Sequence, residues 1–253
     1  MTNSAVRGEW VHPYRIQGQP MQAPDQPSQA PDQPGQAADQ PGQAAEAPEV
    51  DLYWPNKMGR MLLLALEDVM GRNGVNAVLN LARLRHRVNN YPPNNLELGF
   101  GFRELSSINQ ALEDMYGLRG GRTLAIRMGR AGFKYALKDF GSLLGLADLA
   151  FRLLPLGMKL KVGLNAMADT FNNFTDQRVR VEEEAERFVY IIDRCPVCWQ
   201  RVSDVPCCHA ATGLLQEMVS WVSSGKAFEV QEITCVAAGD SACTFTVDKR
   251  PLY

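Results

Sequence analysis

The sequence has few histidines, no long hydrophobic run and no strong excess of charge of either sign. Its 253 residues include 3 histidines, and 26 Lys and Arg side chains face 28 Asp and Glu side chains. This near balance lacks the basic surface of a dedicated nucleic-acid-binding protein. Residues 1–17 have no apolar run of the kind found in signal peptides, and no stretch reaches the roughly 18 uncharged apolar residues of a membrane span. We therefore expect a cytoplasmic protein that has no membrane span and binds no nucleic acid.

Sequence motifs that hold nucleotide cofactors or activate a nucleophile are also absent. The sequence has no G-x-G-x-x-G loop after a strand, no Walker loop and no G-x-S-x-G turn. His12 and His86 are interpreted as surface residues and not as general bases. Reduction or oxidation of a substrate would therefore need a donor from outside this chain, which favours binding over catalysis.

The first 50 residues differ in composition from the rest. They are rich in Gln, Pro, Ala and Asp, and units such as QAPDQPS and QAPDQPG repeat from Gln22 onward. A segment with so few apolar groups cannot offset the entropy lost on ordering. We expect residues 1–50 to form a disordered arm, acting as a tether or as a tail that binds a partner protein. Residues 51–253 are expected to form one folded domain.

Helical periodicity dominates the first part of that domain. Asn56 is expected to cap a helix that ends at Gly71, because apolar side chains recur there at helical spacing. Similar patterns predict further helical segments over residues 74–87, 106–116, 122–140 and 143–174. The last of these is expected to be bent, since it contains Pro155, Gly157 and Gly163.

The hydrophobic period changes to two after Asp176. Alternation predicts one hairpin over about residues 179–192 and a second over about 228–247, with a helix over about 208–223 between them. Helices followed by hairpins favour an α+β fold, in which a helical N-terminal half packs on an antiparallel sheet of hairpins.

All six cysteines lie between residues 195 and 243. They are Cys195, Cys198, Cys207, Cys208, Cys235 and Cys243, and His209 adjoins the adjacent pair. In a reducing compartment, such cysteines more often bind a metal ion or stay as buried thiols than form disulfides.

Two sets of metal ligands are compatible with these positions. The Cys195-Pro-Val-Cys198 segment has the spacing of a zinc knuckle, with its second pair drawn from Cys207, Cys208 and His209. The alternative set joins Cys208 to Glu232, Cys235 and Cys243. Spacing alone leaves both sets open.

Four segments together resemble the vinyl-4-reductase-type, hydrocarbon-binding domain. They are residues 193–198, 205–213, 225–235 and 238–247, and the resemblance is specific over about residues 177–248. It implies a fold shared with the TRAPP vesicle-tethering components, a homodimer, and an enclosed apolar cavity. The sensor members of the family hold zinc near the ligand, so the resemblance also implies a zinc cofactor.

The resemblance also implies which residues bind the zinc ion. The family ligands match Cys208, then Glu232 and Cys235, which are three residues apart, and finally Cys243. Cys207 and His209 flank the first of these and could take the place of one ligand. A closed site of three thiolates and a carboxylate is a structural zinc site, which would hold the helix start against the last hairpin.

A ligand pocket is expected between the helical half and the sheet. Arg127 and Arg130 begin a basic strip, which a solvated helix face or a contact with ligand carboxylates would both explain. Phe133, Leu154 and Met158 are expected to line the pocket, although ordinary core packing accounts for each of them as well.

Two functions are consistent with these features. The first is a zinc-containing domain that holds a hydrophobic small molecule or a tetrapyrrole as sensor, carrier or chaperone. The resemblance links such a domain to bacteriochlorophyll synthesis. The alternative is a 4-vinyl reductase, or a subunit of one, that acts on a divinyl (bacterio)chlorophyllide. The absence of a redox-cofactor motif favours the binding domain.

Overall fold

The computed structural model describes residues 51–140, 151 and 153–253. The predicted arm, residues 1–50, lies outside these residues, as do residues 141–150 and 152, which include the start of the predicted bent helix. Nowhere in the described ranges does a helix have the length and apolar character needed to cross a membrane.

The helical half begins with a small sheet that the sequence analysis did not predict. Strand β1, Tyr53–Pro55, pairs antiparallel with strand β2, Leu98–Gly101. Helix α1, Asn56–Leu81, starts directly after β1 with Pro55 at the capping position. The expectation that Asn56 caps this helix is wrong, because its side-chain amide donates to Asn95 Oδ1 at 3.0 Å instead.

Two glycines kink helices that they were expected to end or separate. Gly71 has φ 73° and ψ 162°, and α1 continues beyond it to Leu81. Helix α2, Phe102–Phe140, contains the same kind of kink at Gly117, with φ 70° and ψ 167°. A positive φ costs glycine little, so the chain changes direction at these points and then resumes the helix. The segments predicted over residues 106–116 and 122–140 are therefore two halves of one element.

The remaining elements follow the predicted order. Helix α3 covers Leu156–Phe174 and helix α4 covers His209–Val222. The first hairpin consists of β3, Val179–Glu183, and β4, Arg187–Ile192. The second consists of β5, Phe228–Thr234, and β6, Cys243–Pro251.

The two hairpins join into one antiparallel sheet of four strands. The strand order is β3-β4-β6-β5, so β4 and β6 form the centre. Tyr190 on β4 lies opposite Val181 on β3 and Phe245 on β6. The helices pack against one face of this sheet in a common core with Phe188, Tyr190 and Ile192. The predicted α+β fold is confirmed.

Glycines bring α2 and α4 into direct backbone contact. A Cβ atom on Gly129 of α2 would lie 2.0 Å from the carbonyl oxygen of Ala210 on α4. A Cβ atom on Gly213 of α4 would lie 2.1 Å from the carbonyl oxygen of Ile126 on α2. No side chain fits at either position, so these two glycines set how closely the helices approach.

Candidate functional site

An apolar cavity of about 120 Å³ lies between the sheet and the four helices of the described residues. Every helix contributes to its wall, together with the sheet and the loop after β4. Its lining includes Met58, Met61, Met128, Phe133, Met167, Phe171, Leu214, Met218, Tyr190, Ile192, Pro196 and Val197. Methionines are numerous in this wall, and their flexible side chains adapt to ligands of irregular shape.

Four side chains with polar atoms reach this wall, and three of them have partners within the protein. Gln177 Oε1 accepts a hydrogen bond of 2.7 Å from Trp54 Nε1. The Thr170 hydroxyl donates to the carbonyl oxygen of Ala166 at 2.8 Å. The Tyr190 hydroxyl is buried and has no hydrogen-bond partner. Among the described lining residues, none carries a charged side chain.

Tyr190 is held rigidly by its place in the sheet. It lies on a central strand and is only 1% exposed, so its hydroxyl cannot reach bulk water. Burial raises the pKa of Tyr190 well above its ordinary value, so the hydroxyl stays neutral. Leaving such a group unpaired costs on the order of 1–3 kcal/mol, which a ligand with a matching polar atom would recover.

The six cysteines form one buried cluster beside the cavity, and all are free thiols. Cys195 and Cys198 lie in the loop after β4, and Cys208 directly precedes α4. Cys235 follows β5, and Cys243 is the first residue of β6. Segments far apart in sequence therefore bring their sulfur atoms to the same place.

The ligand set implied by the family resemblance has the geometry of a tetrahedral zinc site. The Sγ atoms of Cys208, Cys235 and Cys243 form a triangle with sides of 3.7, 3.7 and 3.9 Å. A regular tetrahedron with Zn–S bonds of about 2.3 Å has edges of about 3.8 Å. The three sulfurs are thus already spaced for one ion.

Glu232 completes this set. Its Oε2 atom accepts a hydrogen bond of 2.7 Å from the backbone N–H of Cys208. Its Oε1 atom is buried and has no partner, as expected for an oxygen that binds a cation. A potential ligand atom from each of Cys208, Glu232, Cys235 and Cys243 lies within 4.8 Å of the others, so the donor set fits a zinc ion.

The knuckle cysteines join a second group of four. Cys195, Cys198, Cys208 and Cys243 also have their sulfur atoms within 4.8 Å of one another. Cys195 Sγ lies 3.5 Å from Cys208 Sγ, and Cys198 Sγ lies 3.3 Å from Cys243 Sγ. Of the second pair predicted for the knuckle, only Cys208 belongs to this group, and Cys243 takes the place expected for Cys207 or His209. The two groups therefore overlap at Cys208 and Cys243.

Two neighbouring residues stay outside both groups. Cys207 Sγ lies 3.9 Å from Cys235 Sγ but belongs to neither group of four. His209 is the first residue of α4, and burial together with the charge of Arg122 lowers its pKa to about 4. His209 is therefore neutral near pH 7, and it belongs to neither of the two groups of four potential ligands found among the described residues.

The charges around the cluster favour a bound cation. Burial and the Cys235 thiolate raise the pKa of Glu232 to about 9. Hydrogen bonds from Cys198 and Cys207 hold the pKa of Cys235 well below its ordinary value. Without a metal ion, the low-dielectric interior thus permits only part of the donor set to be ionised. A divalent cation would allow the remaining groups to lose their protons.

Arg201 supplies positive charge beside the cluster. Its side chain is only 6% exposed and forms an ion pair of 2.6 Å with Glu113. Burial opposes the charge, but Cys207 and Glu113 raise the pKa of Arg201 above its ordinary value. One guanidinium nitrogen remains buried without a hydrogen-bond partner. Glu113 balances the charge of Arg201, and one N–H group is left as a donor beside the cysteines.

The cluster and the cavity share parts of their walls. Pro196 and Val197, which lie between two of the cysteines, both line the cavity. Ala210 and Ala211 follow Cys208 at the start of α4 and line it as well. A metal ion at the cysteines would therefore hold two parts of the cavity wall in place.

Of the residues predicted to bind ligand, the structure brings Phe133 into the cavity wall. Arg127 and Arg130 are exposed, and Arg130 donates to Gln216 Oε1 at 2.7 Å. Met158 is 51% exposed, and Leu154 packs half-buried against the core. These four residues are not part of the described cavity lining.

Tyr190 was not predicted from the sequence as a ligand-binding residue. Its inward direction was available from the alternation of Phe188, Tyr190 and Ile192. The missing information was that its hydroxyl lacks a partner, which depends on side chains from all four helices.

Comparison with known proteins supports the resemblance to the vinyl-4-reductase-type domain. Residues 188–249 match the family model of the V-4-R domain, the vinyl-4-reductase-type domain. This match confirms the resemblance over β4, α4 and the second hairpin. No curated protein matches the chain.

Two H-NOX structures share the fold at low sequence identity. An Fe(II) unliganded H-NOX protein from K. algicida has a TM-score of 0.53 and 15% identity, covering 79% of this chain and 98% of that one. An H-NOX protein from S. oneidensis in the Fe(II)NO ligation state has a TM-score of 0.51 and 13% identity, covering 75% and 97%. A trafficking protein particle complex subunit 3 from Naegleria fowleri, covalently bound to palmitic acid, has a TM-score of 0.42 and 17% identity, covering 56% and 87%.

Proposed function

We propose that this chain is a binding domain for a small, neutral and mostly apolar molecule that carries one hydrogen-bonding group. The molecule occupies the cavity between the helices and the sheet, and its polar group pairs with the Tyr190 hydroxyl. The observation that carries this proposal is an unpartnered, buried hydroxyl in a wall that is otherwise apolar or internally satisfied. The domain would serve as a sensor, carrier or chaperone for that molecule.

The lining favours a neutral ligand over a carboxylate-bearing tetrapyrrole. A buried carboxylate needs a cation or several donors to replace its hydration. The described lining residues offer one free hydroxyl and no charged side chain, and the basic strip at Arg127 and Arg130 is exposed. A tetrapyrrole whose carboxylates entered this cavity would leave them unpaired.

Zinc is proposed as the cofactor, with Cys208, Glu232, Cys235 and Cys243 as its ligands. The spacing of the three sulfurs and the unpartnered Glu232 Oε1 support this set. When bound, the ion supplies structural cross-linking, because all four positions of a tetrahedral site are filled by protein. It would join the start of α4 to the second hairpin beside the cavity. The 4-vinyl reductase function, the homodimer and a partner for the arm remain predictions.

Two probes of equal size test the ligand proposal. Binding of para-propylphenol and propylbenzene is measured by calorimetry for the wild type and for Tyr190→Phe. We expect the wild type to bind the phenol about 3-fold to 10-fold more tightly, the usual value of one hydrogen bond. Tyr190→Phe should lose this preference while still binding propylbenzene.

A cavity-filling variant tests where the probes bind. A Cβ atom on Gly132, which lines the cavity, meets no atom within 4 Å, so Gly132→Leu should fill the space and abolish binding of both probes. Gly157→Leu is the matched control, because Gly157 lies on α3, is exposed and is equally free of contacts. Unchanged binding in Gly132→Leu would contradict the proposal. So would a carboxylate-bearing porphyrin that binds more tightly than either probe.

A further inference from the structure

One tetrahedral ion does not account for all the converging cysteines. The two groups of four share Cys208 and Cys243 and differ in their remaining members. If the first ion takes Glu232 and Cys235 as proposed above, Cys195 and Cys198 are left without a metal. Both are buried, at 2% and 1% exposure, and their sulfurs lie 3.5 and 3.3 Å from sulfurs of the first site.

The positions of these two cysteines fit a second ion. The two measured sulfur separations, 3.5 and 3.3 Å, differ by at most about 0.5 Å from the edge of a tetrahedral zinc–thiolate site. Cys195 and Cys198 have the two-residue spacing of a metal knuckle, which directs both thiols from one turn toward one point. The thiols of Cys195 and Cys198 are therefore placed as metal ligands. Close packing of the core does not by itself require four sulfur atoms to lie together.

We propose that the cluster binds two zinc ions, with Cys208 and Cys243 bridging them. The first ion is completed by Glu232 and Cys235, and the second is completed by Cys195 and Cys198. Proteins use such thiolate bridging in the Zn₂Cys₆ modules of DNA-binding proteins, where two ions share six cysteines. This inference rests on the proposed function in one respect, because its first ion is the zinc ion proposed there.

A buried hydrogen-bond donor lies beside this negatively charged centre. Two Zn²⁺ ions bound by five thiolates and one carboxylate carry a net negative charge. Arg201 is buried nearby, donates its backbone N–H to the Cys198 carbonyl at 3.0 Å, and keeps one guanidinium nitrogen without a partner. Glu113 balances the charge of this guanidinium, and the free N–H group remains as a donor for a thiolate sulfur.

The second ion would act on the cavity through the knuckle loop. Pro196 and Val197 lie between Cys195 and Cys198, the two ligands that only the second ion binds, and both line the cavity. Both ions would hold the start of α4 through the shared ligand Cys208. The second ion alone would also hold the knuckle loop.

Metal stoichiometry tests the inference. The full-length protein is stripped with a chelator under reducing conditions, titrated with zinc alone, and measured by native mass spectrometry. We expect the wild type to bind two zinc ions per chain. Cys195→Ser with Cys198→Ser should bind one, and Cys235→Ser with Glu232→Gln should also bind one. Cys208→Ser with Cys243→Ser should bind none.

Cys207→Ser is the matched control, because Cys207 is buried beside Cys208 but belongs to neither group. It should keep two ions. A second readout on the wild type, two separate ¹¹³Cd resonances after cadmium replacement, does not depend on any variant folding. One ion in the wild type that persists in the Cys195/Cys198 variant would overturn the second site and leave the proposed zinc intact. No ion in the wild type would overturn both.

Discussion

The cavity and the cysteine cluster are adjacent but are built in opposite ways. The cavity wall draws on all four helices of the described ranges and on the sheet, and its one fully buried side-chain N or O atom without a hydrogen-bond partner, among the described lining residues, is the Tyr190 hydroxyl. The cluster draws on short segments after β4, before α4 and around the second hairpin. Shape and exclusion of charge therefore define the first region, whereas donor chemistry defines the second.

This difference determines how each region tolerates change. A cavity wall made of many apolar contacts loses a fraction of its contacts when one side chain changes. A metal site depends on each of its four ligands, so losing one removes most of the binding energy. The two regions meet at Pro196, Val197, Ala210 and Ala211, where a change in one should reach the other.

The largest effect is expected where both regions depend on one backbone contact. Gly129→Ala would place a methyl group 2.0 Å from the Ala210 carbonyl oxygen, which forces α2 away from the helix that begins after Cys208. Backbone cannot yield as a side chain does, so we expect a loss of about 2 kcal/mol or more. Thermal unfolding should show a decrease in Tm of roughly 4–8 °C.

Gly132→Ala is the control for this prediction. Gly132 lies one turn further along α2 and also lines the cavity, but its added methyl group would meet nothing within 4 Å. Alanine favours the helix over glycine by about 0.5–1 kcal/mol, so Tm should stay unchanged or rise slightly. Equal Tm values for the two variants would show that the α2–α4 contact is not tight.

A smaller effect should pass from the cluster to the cavity. Chelation of the metal should weaken binding of para-propylphenol by roughly 10-fold, because the wall at Pro196 and Ala210 loses its support. By linkage, the phenol should strengthen zinc binding by the same factor. Calorimetric titrations of the metal-bound and metal-free protein measure both quantities.

Tyr190→Phe separates the two regions in that experiment. It removes the hydroxyl in the cavity and leaves all the proposed metal ligands in place, so zinc affinity without the phenol should not change. Identical phenol affinities for the metal-bound and metal-free wild type would mean that the regions are independent.

The smallest effect is expected for the basic strip. Arg127→Glu with Arg130→Glu should leave the affinity for para-propylphenol within about twofold, because both arginines are exposed and the ligand is neutral. Phe133→Ala on the same helix is the comparison, since Phe133 lines the cavity and its removal deletes contacts with the ligand. Loss of phenol binding in the arginine variant would contradict this expectation and would mean that the two arginines contribute to ligand binding.

The helices show where prediction from local sequence ends. Apolar periodicity indicated each helical segment, but Gly71 and Gly117 were expected to end helices and instead kink them. A glycine with positive φ is compatible with both outcomes, and packing beyond the kink decides between them. The pair β1 and β2 was missed because strands of 3 and 4 residues are too short for a clear alternation.

The sequence by itself determined the order of helices and hairpins, the resemblance carried by residues 177–248, and the residues able to bind a metal. These are properties of local spacing and side-chain chemistry, which one chain displays directly. Only the tertiary structure decided that the two sets of metal ligands share Cys208 and Cys243, and that the Tyr190 hydroxyl has no partner. Both facts depend on distances between segments far apart in the chain, and those distances follow from how the helices pack on the sheet.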